Sequence, residues 1–161
     1  MNFREIAEKA AREAGVIIRA NFKRDIKIER KQEHELVSEV DRKVEKKIRE
    51  IIQRNFPDHS ILGEEFGEEE KESEYTWIID PIDGTTNFLM KNPFFNTSIA
   101  LAKGKEPIVG VVYNPIADEL FSAEKDEGAF LNGEEISVSE KKKLSDSLIT
   151  YCHGKTNESV D

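Results

Sequence analysis

The run from Trp77 to Phe88, WIIDPIDGTTNF, constrains the possible fold more than any other stretch of the chain. Trp77, Ile78 and Ile79 form an apolar block that reads as the end of a buried strand, which delivers Asp80 to the strand's C-terminal edge. Pro81 locks one backbone torsion and removes a hydrogen-bond donor, so the chain is expected to turn away from the sheet there. Asp83 follows Asp80 across that turn. Two carboxylates held this close repel each other unless a cation lies between them, and hard divalent ions such as Mg²⁺ take oxygen ligands of this kind. The spacing suggests a metal site.

Gly84 has no Cβ and lets a ligand approach the backbone, and Thr85, Thr86 and Asn87 favour helix starts. A helix N-terminus presents unpaired N–H groups and the positive end of a dipole, which together attract an anion. Cation ligands on one side and anion donors on the other describe a phosphate pocket. Taken alone, the same residues also fit a strand, a turn and a capped helix whose acids are merely solvated.

The rest of the chain divides into helices followed by strands. Phe3, Ile6, Ala7, Ala10, Ala14 and Ile17 recur at helical spacing between Asn2 and Arg24, which predicts an amphipathic helix. Asp25 to His34 alternates weakly around Ile26 and Ile28 and reads as an extended or mobile connection. Ser38 can cap a second helix, with Asp41 three residues on in a short-acid capping box and Val40, Val44, Ile48, Ile51 and Ile52 as the buried stripe. Ile61 and Leu62 read as a short strand ending in Glu64 and Glu65, and the run FGEEEKESE after them reads as an exposed loop of solvated acids.

Beyond the central motif, Phe95, Thr97, Ile99 and Leu101 alternate with smaller or polar residues, as on a half-buried strand. PIVGVVY, ELFSA and the segments either side of Asn132-Gly133, a type I′ hairpin signal, complete an antiparallel meander. Two helices followed by such a sheet is an α+β plan. LSDSLITYC, from Leu144, is expected to start another strand, and His153 reads as surface.

Composition argues against several function classes. A net charge of −9 with 35% charged residues disfavours nonspecific nucleic-acid binding. No apolar run approaches the roughly 20 residues of a membrane span, and MNFREIAEKA has no apolar signal region. The single cysteine, Cys152, leaves no internal disulfide and suits a reducing compartment. The expectation is a cytoplasmic protein with no membrane and no nucleic-acid partner.

WIIDPIDGTTNF, ILGEE at Ile61 to Glu65, and ELVSEVDRKVE at Glu35 to Glu45 together resemble, in the same order, the signature of the inositol monophosphatase family of Mg²⁺-dependent, lithium-sensitive sugar phosphatases. The resemblance runs from about Glu35 to about Ser139, with Glu35 where the family commonly has Asp and Ser38 where it has Thr. It implies that two N-terminal helices pack on an antiparallel β-sheet, the first half of a layered αβαβα fold. Residues 1–145 would be that α+β domain and 146–161 the start of a second α/β half. Family members are generally longer and usually dimeric.

The resemblance also implies roles. Glu64, Asp80 and the backbone carbonyl of Ile82 would bind one Mg²⁺, and Asp80 would bridge to a second that Asp83 also binds. Glu65 would support a further metal or water. Thr85, with Asp41 behind it, would orient and deprotonate the attacking water, making Asp41, Thr85 and Glu64 the catalytic set. Asp83, Gly84 and Thr85 would hold the substrate phosphate, and Arg30 or Lys31 would occupy a loop over the site. The implied substrate is a phosphorylated polyol or sugar, inositol 1-phosphate first and fructose 1,6-bisphosphate second. The alternative is a noncatalytic metal-binding half-domain that needs a further half to act.

Overall fold

The computed structural model describes residues 2–24, 28–32 and 35–148. Helix α1 (Phe3–Asn21) begins with a capping box: the Asn2 side chain accepts from the Glu5 N–H at 2.8 Å, and the Glu5 carboxylate accepts from the Asn2 N–H at 3.1 Å. Its buried stripe runs through Ala7, Ala11, Ala14 and Ile18, flanked by Ile6 and Ala10. Ile17, expected in the stripe, is only partly buried because the face that meets the sheet continues from Ala14 to Ile18.

Helix α2 (Glu39–Asn55) is capped by Ser38 with Asp41 as the reciprocal acid, and Val40, Val44, Ile48, Ile51 and Ile52 are buried. The connection expected to be extended or mobile contains a strand. β1 (Ile28–Gln32) pairs antiparallel with β2 (Glu35–Ser38) in a separate two-stranded sheet, and β2 feeds directly into the cap of α2. Arg30 and Lys31 lie on β1.

The main sheet has eight strands: β3 (Ser60–Gly63), β4 (Gly67–Glu69), β5 (Tyr75–Asp83), β6 (Asn96–Lys103), β7 (Glu106–Asn114), β8 (Glu119–Glu124), β9 (Gly128–Leu131) and β10 (Glu134–Ile136). Their spatial order is β10-β9-β8-β7-β6-β5-β3-β4. The α+β plan is the observed one, but the sheet is mixed, because β3 runs parallel to β5 while every other pair is antiparallel. α1 and α2 cover one face, over Trp77, Ile79, Ile99, Leu101, Val109, Val111 and Leu120. Leu62, Ile78, Val112 and Phe121 point the other way and are half-exposed.

Other differences follow from tertiary partners that local pattern does not carry. The acidic run after Phe66 supplies β4, an edge strand whose Glu69 meets Lys71 at 3.0 Å, Gln53 at 2.7 Å and Arg49 at 3.7 Å rather than being merely solvated. Asn132 and Gly133 both take positive φ, 52° and 84°, as the β9–β10 hairpin requires. Leu144–Asp146 forms one 3₁₀ turn rather than a strand, and residues 149–161, including Cys152, His153 and most of the segment expected to start a second half, lie outside the described residues. No helix among the described residues is long and apolar enough to cross a membrane.

Candidate active site

β5 does not stop at Asp80 but passes through Pro81 to Asp83. Asp80 is opposite Ser98 on β6 and Asp83 is opposite Asn96, so β5 takes three residue steps where β6 takes two. The extra residue is a β-bulge, and it changes the alternation: Asp80 and Asp83, which a regular strand would put on opposite faces, share one. Proline suits the bulge because it has no N–H to leave unpaired. The freed Pro81 carbonyl accepts from the buried Thr97 hydroxyl at 2.8 Å. The turn away from the sheet expected at Pro81 therefore comes later, at Gly84.

Gly84 has φ +92°, and a Cβ there would press on the Phe94 carbonyl oxygen at 3.2 Å and on Phe95 Cβ at 3.3 Å. Only glycine meets both conditions, and from it the short helix α3 (Thr85–Leu89) begins without a side-chain cap. The Thr85 hydroxyl lies 3.1 Å from Asp41 Oδ1 and 2.9 Å from the Ile82 carbonyl oxygen. It has one proton for these two acceptors, so it donates to one of them at a time.

Asp41 is 1% exposed in the first turn of α2. Its Oδ2 accepts from the Ser38 N–H at 2.9 Å and the Ser38 hydroxyl at 2.5 Å, leaving Oδ1 for Thr85. Burial pushes its carboxyl up from the ordinary aspartate range, and the bonds from Ser38 and Thr85 oppose that rise.

The parallel pairing of β3 with β5 brings two strand ends together. Gly63 is opposite Ile79, and the Glu64 N–H donates to the Ile79 carbonyl at 3.2 Å, which sets Glu64 beside Asp80. Ligand sites form outside the carboxyl ends of parallel strands for this reason. Asp80 Oδ1 is buried with no hydrogen-bond partner. Burial first, then the charge of Glu64 and a side-chain hydrogen bond shared with it, and then the charges of Asp83 and Asp41 push the Asp80 carboxyl up to about 8. Asp83 is more exposed, with Oδ2 accepting from the Asn96 side-chain amide at 3.2 Å.

A cation fits this group of acids. Asp80 has a buried oxygen without a donor and negative neighbours, which is the environment a divalent ion would relieve. Among the described residues no three acidic, His or Cys groups converge closely enough to hold an ion unaided. Mg²⁺ does not require that, since it commonly takes one or two carboxylates and completes its shell with water and substrate phosphate.

Three participants escaped sequence reasoning. Thr97 and Asn96 anchor the bulge and Asp83 from the neighbouring strand, and only the register of β6 reveals them. Glu45, buried on α2, accepts from the Glu65 N–H at 2.6 Å and from Arg49 Nε at 2.8 Å. The available signal was a Glu and an Arg at i,i+4 beside the apolar stripe of α2.

Comparison with known proteins agrees with this architecture. The model of the inositol monophosphatase family matches residues 1–161. The Aquifex aeolicus protein named fructose-1,6-bisphosphatase/inositol-1-monophosphatase is 44% identical over 149 residues, covering 91% of this chain and 56% of that protein. Inositol monophosphatase 2 of Solanum lycopersicum is 46% identical over 152 residues, covering 91% of this chain and 57% of its own length. The crystal structure of extragenic suppressor protein suhB from Bartonella henselae superposes with a TM-score of 0.84 at 38% identity, over 87% of this chain and 55% of that one. The chain spans about half the length of the curated relatives it matches.

Proposed function

The chain belongs to the inositol monophosphatase family, and from that premise we propose that the protein hydrolyses a phosphate monoester of a small polyol or sugar with Mg²⁺ as cofactor. Inositol 1-phosphate is the substrate to try first. The observation that carries the reading is Asp80, a carboxylate with an unsatisfied buried oxygen placed between Glu64 and Asp83 and backed by Asp41.

Phosphate monoesters are inert, so a site must provide a nucleophile and neutralise charge on the leaving oxygen. Bound Mg²⁺ supplies positive charge against the phosphate and the departing alkoxide, and makes water a better nucleophile near neutral pH. Glu64, Asp80, Asp83 and the Ile82 carbonyl would hold it, with Glu65 in support. Thr85, donating its proton toward Asp41 Oδ1, turns an oxygen lone pair outward to accept a hydrogen from the attacking water. As that hydrogen moves to Thr85 Oγ1, the hydroxyl proton passes to Asp41, whose burial raises its affinity for a proton. The N–H groups of Gly84 and Thr85 at the start of α3 hold the phosphate in line with the water.

The test is phosphate release from inositol 1-phosphate by the full-length protein, with and without Mg²⁺. Mg²⁺-dependent release that disappears in Asp80→Asn supports the reading; no release from inositol 1-phosphate or fructose 1,6-bisphosphate by a folded protein defeats it. Fructose 1,6-bisphosphate is included because the Aquifex relative carries both activities in its name. A second reading rests on the length comparison: if this chain exists by itself, it is a metal-binding half-domain, and it would bind Mg²⁺ without turnover.

A further inference from the structure

Glu45 is 0% exposed and Arg49, one turn further along α2, is 8% exposed. The Arg49 guanidinium donates from Nε to Glu45 Oε1 at 2.8 Å and from Nη2 to the Gly67 carbonyl. The carboxylate in turn accepts from the Glu65 N–H at 2.6 Å on Oε2 and from the Phe66 N–H at 3.3 Å on Oε1. A Cβ at Gly63 would overlap the same carboxylate. Residues 63–67, the whole turn from β3 into β4, are thus held from one buried ion pair.

Stability alone is a weak reason for such a pair. Removing two charges from water costs several kcal/mol per ion, and apolar replacements of similar size are often neutral or stabilising. What an apolar pair could not do is accept from two successive backbone N–H groups and so fix the path of the chain through Glu64 and Glu65. Asp41 lies four residues before Glu45 on the same helix, and its Oδ1 meets Thr85. One rigid helix therefore fixes Thr85 at its first turn and the Glu64–Glu65 turn at its second.

We propose that Glu45 is a positioning residue for the candidate cation-binding acids, acting through the backbone of residues 64–66 and set in place by Arg49. The inference rests on the phosphatase reading above. It predicts that Glu45 governs affinity for the cation rather than the chemical step.

The experiment uses the full-length protein and titrates Mg²⁺ by calorimetry, below the melting temperature of each variant and with folding checked by circular dichroism. Glu45→Gln keeps the size of the side chain but turns one acceptor into a donor facing either the Glu65 N–H or the Phe66 N–H and Arg49 together. The expected result is a Kd for Mg²⁺ weakened about tenfold or more, as for loss of groups that orient metal ligands. The Mg²⁺ activation constant should rise in step while kcat at saturating Mg²⁺ stays within about twofold. A folded variant with a lower melting temperature and an unchanged Kd overturns the proposal, since a merely structural pair would give that result. Should Glu45→Gln not fold, Arg49→Lys decides: it keeps the charge and loses the fork that spans Glu45 and Gly67, and the expected Kd is about threefold weaker. An unchanged Kd there overturns the proposal equally. Wild-type protein that neither binds Mg²⁺ nor releases phosphate removes the phosphatase reading and this inference together; wild type that does both beside unaffected variants removes this inference alone.

Discussion

Two carboxylates near the end of β3 and β5 have opposite solutions to the same problem. Glu45 is the more deeply buried, yet Arg49 and two backbone N–H groups answer its charge from within the chain. Asp80 is less deeply buried, yet one of its oxygens has no donor and its nearest charged neighbours are also acids. Buried polar groups in folded proteins are nearly always paired, so an orphan among like charges calls for a partner from outside the chain. The difference separates an acid that shapes the fold from an acid that the fold leaves waiting.

The largest test of that contrast is Asp80→Asn. In the full-length protein it should lower Mg²⁺-dependent turnover by a factor on the order of 10³ or more, about 4 kcal/mol of barrier. Without Mg²⁺ and above about pH 8, where Asp80 has lost its proton, the same variant should melt higher than wild type, because the amide can donate and removes one of several crowded charges. Comparison of calorimetric melting with steady-state rates checks both; a metal-free melting point that falls would mean Asp80 is satisfied in a way its surroundings do not suggest. Next in size is Thr85→Ala, which should reduce kcat by a factor on the order of 10². Ser38 still caps Asp41 through two bonds to Oδ2, but the buried Oδ1 loses its Thr85 donor, so metal-free stability should also fall by about 1–3 kcal/mol. A kcat equal to wild type would leave Thr85 with no part beyond starting α3.

The contrast between the acids was only half legible in the sequence. DPID announces Asp80 and Asp83 because two acids held close around a rigid proline repel each other until a cation joins them, and the Ser38–Asp41 box follows from local capping chemistry alone. What the spacing did not reveal was the means by which both aspartates reach one face. That depends on a bulge, and a bulge is defined by the neighbouring strand: Asn96 and Ser98 set the count, and Thr97 satisfies the carbonyl it exposes. Glu45 was hidden for a related reason. A Glu followed by Arg at i,i+4 is ordinary on a solvated helix face, and only the packing of residues 63–67 against it makes the pair internal. The acidic run containing Glu69 misled in the same way, since its partners Arg49 and Gln53 come from α2. Local chemistry is written locally; the choice between a paired and an unpaired acid is made by contacts distant in sequence.

A smaller change tests the Glu45 side of the comparison without touching a charge. Gly63→Ala places a methyl group where the Glu45 carboxylate lies, with Arg49 close behind it, and neither can retreat into solvent. Overpacking of this kind costs about 1–3 kcal/mol, which chemical denaturation would read as a lower midpoint at constant slope. The loss should vanish largely in Glu45→Ala/Gly63→Ala relative to Glu45→Ala alone, because the collision is then gone. Independent, additive losses in that double-mutant cycle would mean that the two residues do not share the space.

The mildest test is pH, and it reads the Asp80 side directly. The folded Asp80 holds its proton up to about 8, against 3.8 for an ordinary aspartate, so protonation favours the folded state. Its contribution to stability is complete below about pH 4 and is lost as pH rises toward 8, the opposite sense to a salt-bridged aspartate. Metal-free protein should therefore lose about 2–8 °C of melting temperature across that window relative to Asp80→Asn, which has no proton to release there. Saturating Mg²⁺ competes with the proton for the same carboxylate, so it should raise the melting temperature more at pH 8 than at pH 5. Parallel profiles for wild type and Asp80→Asn would show that the crowded acids do not titrate through Asp80, and the distinction from Glu45 would then rest on hydrogen bonding alone.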